Sequence, residues 1–167
     1  KEINLRQIVS SVVDLEGAAA LDRGLELINE CGDSVPLAVI GDDFRVQRVL
    51  INLISNAIKF TEKGHVKITT TASEAQNKNH AKKNILVTFK IEDTGIGIPA
   101  DKFDLIFENF VKLDPSNRRG FYRGSGLGLC MVQQFVQELG GEIDLKSEIG
   151  KGTTFSCSLP FKIPLIK

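Results

Sequence analysis

The stretch DDFRVQRVLINLISNAIKFT, residues 42–61, decides the fold. Its apolar residues recur at helical spacing, which predicts one long helix with a stripe that packs against a sheet. Asp42 or Asp43 can cap the N-terminus of this helix, and Gly64 closes the loop after its last turn. The stripe consists of Val46, Val49, Leu50, Leu53, Ile54 and Ala57.

A second, polar stripe runs along the same helix. Asn52, Asn56 and Lys59 are spaced by four and three residues, so they lie within roughly 60° of one another, at about 100° per residue, and Arg45 and Arg48 lie on that side. Asparagine is a mediocre helix former, and a half-buried amide needs partners. Amide oxygens suit Mg²⁺ and a lysine can meet a phosphate, so we hypothesise a metal-bound nucleotide. An ordinary polar outer face is the alternative.

The length and composition of the chain limit the kinds of protein it can be. The 167 residues fit one domain, and the balanced formal charge implies no general attraction to nucleic acid or to membranes. No signal peptide and no apolar run of about 18 residues is present, so we expect a cytoplasmic location without direct membrane contact. The start at Lys1, without Met, suggests a piece of a longer chain.

Cysteine and histidine offer no metal site. Cys31, Cys130 and Cys157 are odd in number and scattered, which favours reduced thiols. His65 and His80 have no carboxylate or cysteine at ligand spacing, so a zinc site is not expected.

Periodicity predicts further elements before residue 93. Residues 5–20 indicate a core-facing helix, with a short strand at Ile3, and residues 25–30 indicate a half-buried strand. Residues 66–71 are rich in β-branched side chains and predict another strand. Residues 72–84 lack an apolar period and indicate a flexible hairpin connection.

The next strand carries a carboxylate toward the core. Apolar residues alternate from Ile85 to Ile91, and the same period of two places Asp93 on the apolar face. Such a carboxylate needs a specific partner, such as a ligand amino group or a fixed water. Gly95 and Gly97 follow and would let a flat ring approach the backbone closely. The alternative is a plain turn after a strand.

A basic, glycine-containing segment leads into the next amphipathic helix. Residues 103–111 form an apolar cluster, and residues 112–123 carry three arginines with little to bury. The sequence GSGLGL, residues 124–129, then opens a helix whose free N–H groups predict an anion site under a mobile lid. Residues 142–146 and 153–159 predict a closing hairpin turned at residues 150–152, and Pro160 and Pro164 are expected to end the regular structure.

These stretches, in this order, resemble the motifs of the catalytic ATP-binding domain of sensor histidine kinases, a branch of the gyrase-like ATPases. Residues 52–61 resemble the N box and residues 93–97 the G1 box. Residues 107–110 resemble the F box and residues 124–129 the G2 box. The resemblance extends from Asn4 to Phe161.

The resemblance implies an α/β two-layer sandwich, the Bergerat ATP-binding fold. In this fold a mixed sheet of about five strands packs against three helices, and ATP lies between the second and third helices under a mobile lid. Residues 1–167 would form a single catalytic domain of this kind.

The resemblance also implies residue roles. Asn56 would coordinate Mg²⁺ with help from Asn52, Lys59 would meet the phosphates, and these three would be the catalytic residues. Asp93 would accept from the adenine amino group, and Thr154 would join that contact through water. The other implied nucleotide contacts are Gly95, Gly97, Ile98, Phe107, Phe110, Arg118, Arg119, Gly124, Ser125, Gly126, Leu127, Gly128 and Leu129.

The implied reaction transfers the γ-phosphate of ATP to a histidine on an adjacent dimerisation domain, a helical hairpin expected before Lys1. The motifs NAIKFT and GSGLGL are similar to those of kinases that carry receiver domains. A response-regulator receiver domain is therefore the expected downstream partner. The fragment itself is expected to be monomeric and its parent homodimeric. Cys130, Asn109 and Arg123 depart from the common pattern, but none of them removes a nucleotide contact.

Two alternatives remain at this point, a hydrolytic ATPase and a regulatory module that has lost catalysis. The hydrolytic relatives carry Glu where this chain has Asn52, and an amide cannot accept a proton from water. A module without catalysis would be expected to have damaged motifs, and all four are intact.

Overall fold

Three helices and seven strands make up the described part of the chain. The computed structural model describes residues 1–74, 84–99, 101 and 125–164, and only the backbone of residues 125–128. The elements are β1 (Glu2–Ile3), α1 (Leu5–Asp22), β2 (Glu26–Cys31), β3 (Val39–Ile40), α2 (Asp43–Lys59), β4 (His65–Glu74), β5 (Asn84–Asp93), α3 (Ser125–Glu138), β6 (Glu142–Glu148) and β7 (Gly152–Lys162).

All described strands belong to one mixed sheet. The order is β1-β3-β7-β5-β4-β2, with β6 pairing β7, and only the β2–β4 pair is parallel. The predicted α/β sandwich with a mixed sheet and three helices is confirmed. The sheet has seven strands instead of the five or so that the resemblance implied. A short strand was expected at Ile3, where β1 lies, whereas β3 has two residues, too few for a period to register.

α2 is the central helix, as residues 42–61 predicted. Every member of its apolar stripe is at most 4% exposed, and α2 contacts both α1 and α3. The side chain of Asp42 accepts a hydrogen bond from the Arg45 N–H at 3.1 Å, which makes Asp42 the N-cap. On α1, Asn4 caps the N-terminus in the same way. The residues of α1 that enter the core are Leu5, Val9, Val12 and Ala20.

β5 is the central strand of the sheet. β4 pairs with it from Ile85 to Asp93, and β7 pairs with it along its whole length. Val87, Phe89 and Ile91 are at most 1% exposed, which confirms the predicted apolar face. The predicted connection at residues 72–84 is shorter than expected, since β4 continues to Glu74; residues 75–83 lie outside the described residues.

β7 continues through a proline that the sequence analysis expected to end it. Pro160 pairs with Leu86 on the β5 side. On the other side of β7, pairing with β6 begins at Ser158 and the single pair with β3 is at Lys162, so Pro160 falls between these two pairings. Its missing N–H therefore costs no ladder bond on that side, and the strand ends only at Lys162.

Among the residues that the model describes, no helix combines the length and the apolar character needed to cross a bilayer. α1 and α2 instead have one apolar side that packs on the sheet and one polar side.

Candidate functional site

A mostly apolar cavity opens between α2, the loop after β5 and the start of α3. It encloses about 430 Å³ of space between protein atoms, a volume that includes its open mouth. The lining residues are Asn56, Ala57, Phe60, Asp93, Ile96, Gly97, Ile98, Leu129, Thr153 and Phe155.

Asp93 supplies the carboxylate of this cavity. It ends β5, and its Oδ1 accepts hydrogen bonds from the N–H groups of Gly95 at 2.9 Å and Thr153 at 3.1 Å. No described residue donates to Oδ2. Burial raises the pKa of Asp93 above its ordinary value, against the lowering effect of the two N–H donors. The carboxylate is therefore fixed through one oxygen, and its second oxygen remains able to accept from a ligand.

Of the predicted polar stripe of α2, Asn56 lines the cavity, whereas Asn52 and Lys59 do not. Asn56 lines the cavity, and its side chain has no hydrogen-bond partner among the described residues. Asn52 lies one turn earlier, half-buried, and its Nδ2 donates to the Arg48 carbonyl at 2.9 Å. This bond leaves the amide oxygen of Asn52 as the atom able to bind a ligand. Lys59 is exposed, with its ammonium 5.9 Å from the centroid of the Phe60 ring.

The two glycines after Asp93 have a packing role in addition to the ligand approach that was predicted for them. A Cβ on Gly95 would collide with the Phe60 carbonyl oxygen, and a Cβ on Gly97 with the Glu148 carbonyl oxygen. Gly97 also has a left-handed φ of 79°. Backbone packing between this loop, the end of α2 and the β6–β7 turn therefore requires both glycines. Gly97 lines the cavity and Gly95 does not.

Replacing Gly97 by alanine should lower the free energy of unfolding by about 2–4 kcal/mol, because it adds left-handed strain to a backbone collision. Chemical denaturation measures this. The control is Gly17→Ala on α1, where a Cβ meets nothing within 4 Å and should stabilise the helix by about 0.5–1 kcal/mol. Equal stabilities for the two variants would contradict the packing account.

Thr153, and not Thr154, reaches the cavity. The register places Thr153 opposite Asp93, and Thr153 shares the buried face of β7 with Phe155 and Cys157. Because side chains alternate along a strand, Thr154 lies on the other face of the sheet, away from the three described helices. The apolar residues Phe155 and Cys157 alternate along the sequence, and continuing this period of two places Thr153 on their face.

The remaining predicted contacts lie near or beyond the limit of the described residues. Phe107, Phe110, Arg118, Arg119 and Gly124 fall outside it. The predicted helix after the glycines is confirmed as α3, beginning at Ser125. Of Ser125, Gly126, Leu127 and Gly128 only the backbone is described. Leu129, at 4% exposure, and Ile98, at 8%, line the cavity.

Four more lining residues were missed by the sequence analysis. Ala57 and Phe60 lie on the α2 side of the cavity, Ile96 in the loop after Asp93, and Phe155 on β7. All four are apolar, so nothing in their residue type distinguished a cavity wall from ordinary packing.

The groups available to bind a cation are the side-chain amide oxygens of Asn52 and Asn56. Among the described residues no three His, Cys, Asp or Glu side chains lie together in a metal-binding arrangement. The amide oxygens of Asn52 and Asn56 have no partner in the described chain, and such oxygens suit Mg²⁺. The donor set therefore fits a magnesium ion that also takes ligands from a bound phosphate.

Comparison with known proteins identifies relatives across most of the chain. The family model of the histidine kinase-, DNA gyrase B- and HSP90-like ATPases matches residues 41–163. Hybrid signal transduction histidine kinase A of Dictyostelium discoideum is 38% identical over 156 residues, which are 92% of this chain and 7% of that protein. The chain thus spans a small part of this relative.

Solved structures show the same fold. Full-length ShkA in complex with AMPPNP superposes with a TM-score of 0.78 at 28% identity, covering 99% of this chain and 32% of that one. The nucleotide-free catalytic domain of histidine kinase ThkA gives a TM-score of 0.72 at 27% identity, covering 96% and 94%.

Proposed function

The chain belongs to the histidine kinase-, DNA gyrase B- and HSP90-like ATPases, and from this premise we propose that it is the ATP-binding catalytic domain of a two-component sensor histidine kinase. It transfers the γ-phosphate of ATP to a histidine on an adjacent dimerisation domain. The histidine kinase relatives, similar over 92–99% of this chain, support this choice within the family.

One observation carries the nucleotide assignment. The carboxylate of Asp93 lies in an apolar cavity and accepts hydrogen bonds from described residues through Oδ1 but not through Oδ2. Apolar side chains from α2, β7 and α3 line the cavity, and Oδ2 of Asp93 is left to accept a hydrogen bond there. An adenine ring buries its faces in such a space and offers its amino group as the donor that the carboxylate needs. Thr153 accompanies Asp93 there, in the role that the sequence analysis gave to Thr154.

The phosphates extend from this cavity along α2. Asn56 and Asn52 would hold Mg²⁺ through their amide oxygens, and Lys59 would meet the phosphates, one turn further along the helix. Bound there, the metal would neutralise charge that develops on the transferred phosphoryl group. An imidazole is already a competent nucleophile, so the protein needs to supply positioning and charge stabilisation rather than a general base.

The conformation of Asn52 favours phosphotransfer over hydrolysis. Hydrolysis needs a group that accepts a proton from the attacking water. An amide cannot do this, and the nitrogen of Asn52 is already bonded to the Arg48 carbonyl. We therefore place the chain with the kinases and not with the hydrolytic members of its family.

The partners follow from this reaction. We propose a dimerisation domain of the same parent protein as the phosphate acceptor and a response-regulator receiver domain as the next carrier. The parent is a homodimer, the catalytic domain alone is a monomer, and it works in the cytoplasm. The hybrid kinase among its relatives supports a parent with a receiver domain.

The chain by itself is expected to bind ATP with Mg²⁺ but not to become phosphorylated. When the helical hairpin of the same parent is added as a separate piece, its histidine should become labelled slowly, since mixing forfeits the effective concentration of a covalent linker. Radiolabelled ATP and gel separation of the two pieces measure this. Acid-labile phosphate on His65 or His80 of this chain would overturn the assignment of roles.

A further inference from the structure

The candidate for a further role is Ser147, a residue of β6 that does not line the cavity. Its hydroxyl makes three contacts. It accepts from the Ile98 N–H at 2.7 Å, it donates to the Gly152 carbonyl at 3.0 Å, and it lies 2.7 Å from the hydroxyl oxygen of Thr153. Ser147 thus joins the loop after β5 to the strand that carries Thr153.

The direction of the third bond follows from the other two. A serine hydroxyl has one proton and two lone pairs. The Gly152 carbonyl can only accept, so all three contacts are hydrogen bonds at once only when the serine proton goes to Gly152 and Thr153 supplies the proton of the third bond. Thr153 therefore donates to Ser147, which saturates the serine with two bonds accepted and one donated. This arrangement also gives the buried Thr153 hydroxyl a partner within the protein.

The consequence appears in the cavity. Since the proton of Thr153 is committed to Ser147, the Thr153 hydroxyl presents only lone pairs to a ligand. Oδ2 of Asp93 presents lone pairs as well, and Thr153 and Asp93 are already joined by the bond from the Thr153 N–H to Oδ1. This end of the cavity is therefore built entirely of acceptors.

We propose that Ser147 is a positioning residue that sets the nucleotide specificity of the site, by holding the Thr153 hydroxyl as an acceptor. The inference rests on the proposed ATP-binding function. A 6-amino purine donates to this acceptor pair directly or through a water. A 6-oxo purine places a carbonyl oxygen against two acceptors and leaves buried groups unpaired, which is the strongest basis for discrimination between such bases.

The test compares the affinities of ATP and ITP, whose base has a carbonyl group in place of the amino group. In Ser147→Ala the Thr153 hydroxyl is free to turn and donate to that carbonyl. We expect the preference for ATP over ITP, taken as the ratio of Kd values from calorimetry, to fall about tenfold. Ser147→Thr, which keeps a hydroxyl, should preserve most of the preference.

Two further variants separate positioning from general damage. Ser158→Ala is the matched control, because Ser158 also pairs its hydroxyl with a threonine, Thr88 at 2.9 Å, but does not line the cavity. It should leave both affinities unchanged. In a Thr153→Val background, adding Ser147→Ala should change the preference no further, since no hydroxyl remains to be turned.

The outcomes are distinct. If the original chain binds neither nucleotide, the proposed function fails and this inference with it. If it binds ATP but Ser147→Ala weakens ATP and ITP by the same factor, Ser147 only supports the loop and the inference is overturned while the function stands. If Ser147→Ala does not fold, Thr153→Val alone decides: its preference should fall about tenfold, and an unchanged preference overturns the proposal.

Discussion

Calorimetry on Asp93→Asn is expected to show an ATP affinity about a hundredfold below that of the original chain. The asparagine oxygen can keep the two bonds from the Gly95 and Thr153 N–H groups. Its NH₂ group then stands where Oδ2 stood and faces the amino group of adenine, donor against donor. In a cavity lined mostly by apolar side chains, neither group finds another partner.

The same variant should not lose stability at neutral pH. Burial holds the pKa of folded Asp93 above that of the unfolded chain, so its stabilising contribution is complete below about pH 3.8 and is lost as the pH rises through the raised pKa. At pH 7 the buried charge is therefore a cost, which a neutral asparagine removes. Thermal unfolding at pH 7 should give a Tm equal to or above that of the original chain.

Glu92→Gln is the control for this experiment. Glu92 is the neighbouring acid on β5, but its side chain pairs with Lys90 at 3.6 Å on the opposite face of the sheet. It should bind ATP normally. An Asp93→Asn protein that folds and binds ATP as tightly as the Glu92→Gln protein would remove Asp93 from the adenine contact.

Asn56→Ala is expected to abolish the strengthening of ATP binding by Mg²⁺ and to slow transfer to the added hairpin by about 10²–10³-fold. The variant removes one amide oxygen offered to the metal and leaves Asp93 and the apolar walls intact. Adenosine should therefore bind as before. Calorimetry with and without Mg²⁺, together with single-turnover labelling of the hairpin, measures the two effects.

Gln47→Ala provides a matched loss of an amide from the same helix. Gln47 is exposed and lies about half a turn around α2 from Asn56, so neither the metal effect nor the transfer rate should change. If Mg²⁺ still strengthens ATP binding to Asn56→Ala by the same factor as in Gln47→Ala, Asn56 is not a metal ligand.

The parts of the fold that periodicity predicted are those with long, one-sided elements. α2 has 17 residues and β5 has 10, and each carries a regular apolar repeat, so their buried faces were predictable residue by residue. β3, with two residues, has no period at all. The continuation of β7 through Pro160 was not predictable, because the place of this proline between two neighbouring pairings depends on partners distant in sequence.

The lining of the cavity was predicted in part: Asn56, Asp93, Gly97, Ile98 and Leu129 were named from the sequence, and the other five lining residues were not. Asp93 and Asn56 stood out because a polar group on an apolar face needs an explanation. The position of Thr153 instead of Thr154 depended on strand register, in which one residue decides the face. The purpose of Gly95 and Gly97 depended on which backbone lies beside them, and neither the Phe60 nor the Glu148 carbonyl is near in sequence.

The place of Asp93 on the central strand bears on how the molecule opens. Amide hydrogens of β5 are shielded by β4 on one side and β7 on the other up to Asp93 itself, so they belong to the unit that exchanges with solvent last. Local unfolding of the more peripheral strands β1 or β2 leaves β5 paired with β4 and β7. Asp93, the residue proposed to accept from adenine, is therefore expected to keep its position when β1 or β2 opens locally.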